Sequence, residues 1–60
     1  MNEIIIISKI VMMDEMFENV EFSGSENDFI RLINDGEVIK IKEGHKEIYI
    51  NSTYIMSFEF

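Results

Sequence analysis

The sequence predicts one small, mainly β domain. Isoleucine is the commonest residue, whereas alanine and proline are absent and Leu32 is the only leucine. β-Branched and aromatic side chains favour strands, and alanine and leucine are the best helix formers. Turn-favouring residues interrupt the apolar runs about every eight positions, a spacing typical of small sheets that close on themselves. We therefore expect an antiparallel meander that coils into a barrel or half-barrel.

The short length predicts that the domain associates with itself or with a partner. Sixty residues bury too little surface for a large margin of stability, and domains of this size usually rely on disulfides, a structural metal or another subunit. The chain has no cysteine and only one histidine. We expect a homo-oligomer, a dimer or larger.

The first half of the chain contains one clear strand and one ambiguous segment. Residues 3–12 form an apolar run without a turn residue. Residues 12–22 place Met12, Met16 and Val20 on one helical face, which permits a short helix at 12–20. The alternation that ends in Val20 and Phe22 favours a strand instead. We predict the strand.

A second ambiguous segment spans residues 28–34. In one interpretation, Ser25 caps a helix at 26–34, Asp28 completes the cap and Gly36 ends the helix. In the other, Asp35-Gly36 joins two apolar runs, which is the strongest short hairpin signal. We predict the hairpin, and keep α+β with a short helix at 12–20 or 26–34 as the alternative fold.

The second half continues the meander. Strands are predicted at 38–42 and 47–50, joined by residues 43–46, and a last strand at 54–60 follows a brief turn at 51–53. This order resembles the end of SH3-like and Sm-like small barrels, in which a single helical turn separates the last two strands. The resemblance covers the second half of the chain as a pattern, and it transfers no functional residue.

The sequence lacks the residue groups that an enzyme needs. His45 is predicted in a hairpin loop, and the three glycines lie in separate turns, so they form no phosphate-binding loop. Acid pairs such as Asp14 and Glu15 lack the spacing of a calcium loop. We expect no catalytic residue, no metal site and no cofactor.

Charge is the most informative functional feature. Twelve acidic residues and five basic ones give a net charge of -7, and no base occurs between Asp14 and Asp28. We name this stretch the acidic segment; its acids are Asp14, Glu15, Glu18, Glu21, Glu26 and Asp28. Such a segment attracts a basic partner and repels nucleic acid and anionic membranes. The predicted partner is a protein with a basic surface.

These features lead to one preferred function. We expect a small acidic protein-interaction module, an adaptor or a stoichiometric inhibitor, in which Met16, Phe17 and Phe22 add apolar contact area. The bias toward Ile, Asn, Lys, Glu and Phe is what an AT-rich coding sequence produces, which fits a phage or a low-GC bacterium. The apolar run Ile4–Ile7 is too short for a signal peptide or a membrane span, so we expect a cytoplasmic protein.

The alternative function is a homo-oligomeric Sm-like RNA-binding protein. Its phosphate and base contacts would come from Arg31, Lys40, Lys42 and Lys46 together with Tyr49 or Tyr54. The net charge argues against this alternative, and nucleic acid is not the partner that we predict.

Overall fold

A computed structural model describes residues 3–60 as one five-stranded antiparallel sheet with a short helix. The strands follow the order β4-β3-β2-β1-β5. The elements are β1 (Ile4–Met12), β2 (Met16–Ser23), α1 (Glu26–Asn34), β3 (Val38–Glu43), β4 (Lys46–Asn51), a 3-10 turn (Ser52–Tyr54) and β5 (Ile55–Glu59). Because β4 and β5 do not pair with each other in this part of the chain, the sheet is a half-barrel.

The mainly β prediction is confirmed, and so are most of its elements. Residues 16–23 form a strand, as the alternation at Val20 and Phe22 indicated. The β3–β4 hairpin is tighter than predicted, because Glu43 pairs with Lys46 and only Gly44 and His45 remain in the turn. A single 3-10 turn separates the last two strands, as the resemblance to SH3-like and Sm-like barrels implied.

The hairpin predicted around Asp35-Gly36 is wrong, and the alternative helix is correct. Ser25 caps α1: its Oγ accepts the Asp28 N–H at 3.1 Å, and its own N–H donates to the Asp28 carboxylate at 3.0 Å. This reciprocal pair is a capping box, which satisfies amides that the first helical turn leaves free. Phe29 on the inner face of the helix is fully buried, with Leu32 and Ile33 packed beside it.

Gly36 ends the helix instead of turning a hairpin. Its φ is +68°, a conformation that glycine adopts at little cost. Gly36 N–H donates to the Ile33 carbonyl at 3.1 Å, and Glu37 N–H donates to the Leu32 carbonyl at 3.0 Å. These two bonds form a Schellman motif. The chain then enters β3 at Val38.

The β1–β2 hairpin changes its inward face half-way along its length. Ile7 faces Val20 and Ile10 faces Phe17, and all four side chains are buried although an even alternation would turn one pair outward. The regular pairing is interrupted at the step that contains Asn19, whose φ is +53°. Asparagine tolerates this left-handed conformation better than most residues. The irregularity lets one hairpin face the core along both of its halves.

Aromatic side chains join the helix to the sheet. The Phe29 ring lies edge-on to Phe22 and Phe58, with both centroid distances at 5.2 Å, and to Phe60 at 5.8 Å. Edge-to-face pairs of this kind stabilise a core beyond the area that they bury. The remaining core consists of Phe17 and the buried aliphatic side chains of β1 to β4: Ile7, Ile10, Val20, Ile39, Ile41 and Ile50.

One feature of the last strand differs from the sequence pattern. In a regular strand, side chains two residues apart such as Met56 and Phe58 lie on the same face. The register between β1 and β5, however, shifts between Val11 and Met12. The shift is a bulge, which inserts an extra residue into one strand. Ile55 therefore packs against the core beside Phe58, and Met56 is exposed.

Candidate protein-interaction groove

The tip of the β1–β2 hairpin carries the acid pair of the acidic segment. Met13 and Asp14 lie in the turn, which is closed by a hydrogen bond of 2.8 Å from Met12 N–H to the Glu15 carbonyl. Charged side chains in such a turn remain in water, and both Asp14 and Glu15 are exposed. The turn therefore presents two adjacent carboxylates at one end of the hairpin.

The strand β4 and the 3-10 turn lie across from this tip. Between them is a groove with a volume of about 500 Å³, lined by Met12, Met13, Asp14, Glu15, Ile48, Tyr49, Ile50, Asn51 and Tyr54. The Asn51 side chain accepts the Thr53 N–H at 3.0 Å, which fixes the 3-10 turn and so the position of Tyr54. We refer to this feature as the acidic groove.

The exposed surface of the acidic groove is apolar and aromatic. Met13 retains 70% of its accessible surface and Tyr49 retains 67%, and Tyr54 is also exposed. Methionine adapts to irregular partners, and tyrosine offers a ring face together with a hydroxyl. Such surfaces beside two carboxylates suit an aliphatic chain that ends in a positive charge.

The fold separates the other acids of the acidic segment from this pair. Glu18 lies opposite Lys9 on β1, and Glu21 lies opposite Lys42 on β3. Opposite charges at such positions stabilise a sheet slightly and reduce the field that a partner experiences. Glu26 and Asp28 belong to the first turn of α1. Asp14 and Glu15 are therefore the acids of this segment that lie neither opposite a base nor in the helix.

Asp28 has a structural role in the helix. Its carboxylate accepts the Ser25 N–H and forms an ion pair with the Arg31 guanidinium, and its backbone N–H donates to the Ser25 hydroxyl. The Ser25 backbone hydrogen bond is the largest of the effects that lower the pKa of Asp28 below its ordinary value. This carboxylate is already occupied, so it is a poor candidate for partner binding.

Two of the three predicted apolar contact residues lie in the core. Phe17 and Phe22 retain only 7% and 5% of their accessible surface, because the face change in the hairpin turns both of them inward. The expectation that they contact a partner is therefore corrected. Met16 is exposed and pairs with Val11 at the same end of the hairpin as the groove, and its contact with a partner stays a prediction.

The basic residues all lie beside acidic ones. Every one of them has an acid as its ion-pair or cross-strand neighbour: Lys9 with Glu18 and Glu59, Arg31 with Asp28, Lys40 with Glu47, Lys42 with Glu21 and Glu47, and Lys46 with Glu43. Phosphate binding needs positive charge that is free to replace counterions. The tyrosines assigned to base stacking instead line the acidic groove.

Across residues 3–60, the side chains of His, Asp and Glu form no cluster of three or more that is able to hold a metal ion. His45 lies in the exposed β3–β4 turn. The helices within the same range include none with the length and apolar character needed to cross a membrane.

Comparisons of the chain with protein-family models, curated proteins and solved structures gave no match. The functional argument therefore rests on the groove itself.

Proposed function

We propose that this chain is a small acidic protein-interaction module whose acidic groove binds a basic segment of a partner protein. The observation that supports the proposal is the meeting of two carboxylates, two exposed tyrosines and exposed Met13 around one groove. A lysine or arginine side chain matches this combination. Its charge pairs with Asp14 or Glu15, and its aliphatic stem packs against the methionine.

Electrostatics supports a basic partner at long range and at contact. The net charge of -7 attracts a basic protein from a distance and raises the rate of encounter. At contact, a cation above a tyrosine ring contributes about 0.5–1 kcal/mol at an exposed site. Neither of the ion pairs found within residues 3–60 uses Asp14 or Glu15, so both carboxylates remain available.

A second hollow of similar size is less suited to this role. It has a volume of about 490 Å³, and its rim mixes acids such as Asp35 and Glu37 with Arg31 and Lys40. Mixed charges reduce selectivity for a basic ligand. We therefore assign partner binding to the acidic groove. An adaptor or a stoichiometric inhibitor that covers a basic surface in the cytoplasm fits this chemistry.

A titration with a defined peptide tests the proposal. The probe is an eight-residue peptide of alternating arginine and leucine, and its control replaces each arginine with glutamate. We expect the arginine peptide to shift the backbone amide resonances of Met13, Glu15, Tyr49 and Tyr54, with affinity that falls as salt rises. Shifts spread evenly over the surface, or equal shifts with the glutamate peptide, would contradict the proposal.

A matched pair of charge reversals locates the site. In the variant Asp14→Lys/Glu15→Lys we expect the affinity to fall about tenfold, because two exposed charge contacts of about 0.5–1 kcal/mol each are lost. The control Asp35→Lys/Glu37→Lys changes net charge equally, and lysine near the end of α1 is favourable. We expect it to weaken binding less than about threefold, through long-range attraction alone. A larger loss in the control would move the site to the second hollow.

A further inference from the structure

The half-barrel leaves several stretches of strand edge without a neighbouring strand in the part of the chain described. Two are the outer edges of β4 and β5, which lie at the ends of the strand order. Another is the first half of β1, because β5 pairs with β1 only along Lys9–Met12. Met16–Val20 of β2 and Val38–Lys40 of β3 are also open on one side, because these two strands pair only where Glu21 lies opposite Lys42 and Phe22 opposite Ile41. An open edge presents unpaired backbone N–H and C=O groups to any strand that approaches it.

Only the edge of β1 lacks the features that normally prevent such pairing. The strand β4 begins with two charged residues, Lys46 and Glu47, and β5 contains the bulge at Met56. The open stretch of β2 contains Glu18 and the irregular step at Asn19, and that of β3 contains Lys40. Charges and bulges are devices by which proteins protect their edges. Residues 4–8, in contrast, are four isoleucines and a serine with neither charge nor proline. This edge is suited to pairing.

The side chains at this edge are also apolar on both faces. Ile5 packs against the core and Ile7 is fully buried within it, as expected for the inner face. On the outer face, Ile4 and Ile6 retain 58% and 54% of their accessible surface. A monomer gains nothing from these two exposed isoleucines, whereas a strand added beside β1 covers them.

We propose that the strand added here is β1 of a second copy, in an antiparallel pair whose two-fold axis passes beside Ile5. Directly opposite residues share a face of the sheet, and the register that places Ile4 opposite Ile6 of the second copy keeps the inner and outer faces continuous. Ile4–Ile6 then pair with their counterparts, Glu3 lies opposite Ile7 at each end of the pair, and the position beside Lys9 remains with β5. The four exposed isoleucines of the two copies form one outer patch.

The antiparallel arrangement limits the repulsion between the carboxylates of two acidic copies. The antiparallel pair sends the two hairpin tips in opposite directions. Asp14 lies nine residues from Ile5, about 30 Å along an extended strand, so the two tips lie several Debye lengths apart. Their mutual repulsion is therefore screened. Both acidic grooves stay open, so the dimer is a bivalent binder if the groove functions as proposed.

The solution mass of the 60-residue chain tests the pairing. Analytical ultracentrifugation is expected to give twice the chain mass of 7.1 kDa. The variant Ile6→Lys places two like charges beside the two-fold axis and is expected to be a monomer. Met56→Lys, which adds the same charge at an exposed apolar position on β5, is expected to remain a dimer. Circular dichroism confirms that both variants are folded.

Cysteine cross-linking tests the register. The natural chain has no cysteine, so the double variant Ile4→Cys/Ile6→Cys is expected to form a covalent dimer on mild oxidation. The control Met13→Cys/Met56→Cys places its thiols at other exposed positions and is expected to stay largely monomeric on a denaturing gel. A natural chain that is monomeric, or a dimer that survives Ile6→Lys, would overturn the inference. Arginine-peptide binding by the Ile6→Lys monomer would show that the acidic groove acts independently.

Discussion

The region beneath the helix and the acidic groove are built from similar residue types and differ in what covers them. Under α1, Phe29 contacts Phe22, Phe58 and Phe60, and its ring is fully buried. At the groove, Tyr49 is equally large and remains mostly exposed. The helix therefore completes the core on one side, and no element of the described chain covers the groove. Stability is concentrated in the first region, and binding is expected in the second.

The largest expected difference between the two regions is in the free energy of unfolding that is lost when one aromatic ring is removed from each. We expect Phe29→Ala to lower the free energy of unfolding by about 3–5 kcal/mol, because it removes a buried ring and leaves a cavity. Tyr49→Ala is expected to change it by less than about 0.5 kcal/mol, since the ring is exposed. Urea denaturation followed by circular dichroism measures both.

A domain of this size has little stability to lose, so Phe29→Ala is expected to be largely unfolded without denaturant. The milder variant Phe29→Leu keeps most of the volume and is expected to lose about 1–2 kcal/mol, which remains measurable. Similar losses for Phe29→Leu and Tyr49→Ala would contradict the division between a stabilising region and a binding region.

A smaller effect is expected where the helix ends. Gly36 has a φ of +68°, and the nearest atom to an added Cβ is the Thr53 Oγ1 at 3.7 Å, so the space is sufficient. We expect Gly36→Ala to destabilise the chain by about 1 kcal/mol through backbone strain alone. Asn34→Ala, at the exposed last residue of α1, is the control and is expected to be neutral or slightly stabilising. Equal effects of the two substitutions would show that the Schellman motif contributes little.

The same glycine shows where local sequence patterns are insufficient. Asp35-Gly36 suits a hairpin turn and a helix terminus equally well, because both place glycine at positive φ. The choice depends on whether Phe29 and Leu32 reach the core from a helix or from a strand, and that is decided by the remainder of the sheet. The capping pair Ser25 and Asp28 is the local signal for the helix, and it prevails over the hairpin signal of Asp35-Gly36.

The candidate site could be predicted only in part for a related reason. The acid pair Asp14 and Glu15 is visible in the sequence, but Tyr49 and Tyr54 reach it only when the sheet curls. The inward turn of Phe17 also depends on the irregular step at Asn19, which leaves little trace in the sequence. The sequence therefore indicated the charge of the site, and the fold supplied its aromatic wall and removed two of its expected contacts.

The smallest expected effect concerns pH and distinguishes a carboxylate with a structural role from one in the groove. Because the pKa of Asp28 is lower in the folded chain than its unfolded value of 3.8, the charged cap stabilises the fold above that value. This contribution is lost as the pH falls through the lower folded pKa. We expect the stability difference between the natural chain and Asp28→Asn to shrink below pH 3.8. Asp14→Asn is the control and is expected to follow the natural chain throughout, because the hairpin tip caps no helix. Denaturation series from neutral to acid pH measure all three chains, and a constant difference for Asp28→Asn would argue against a charged cap.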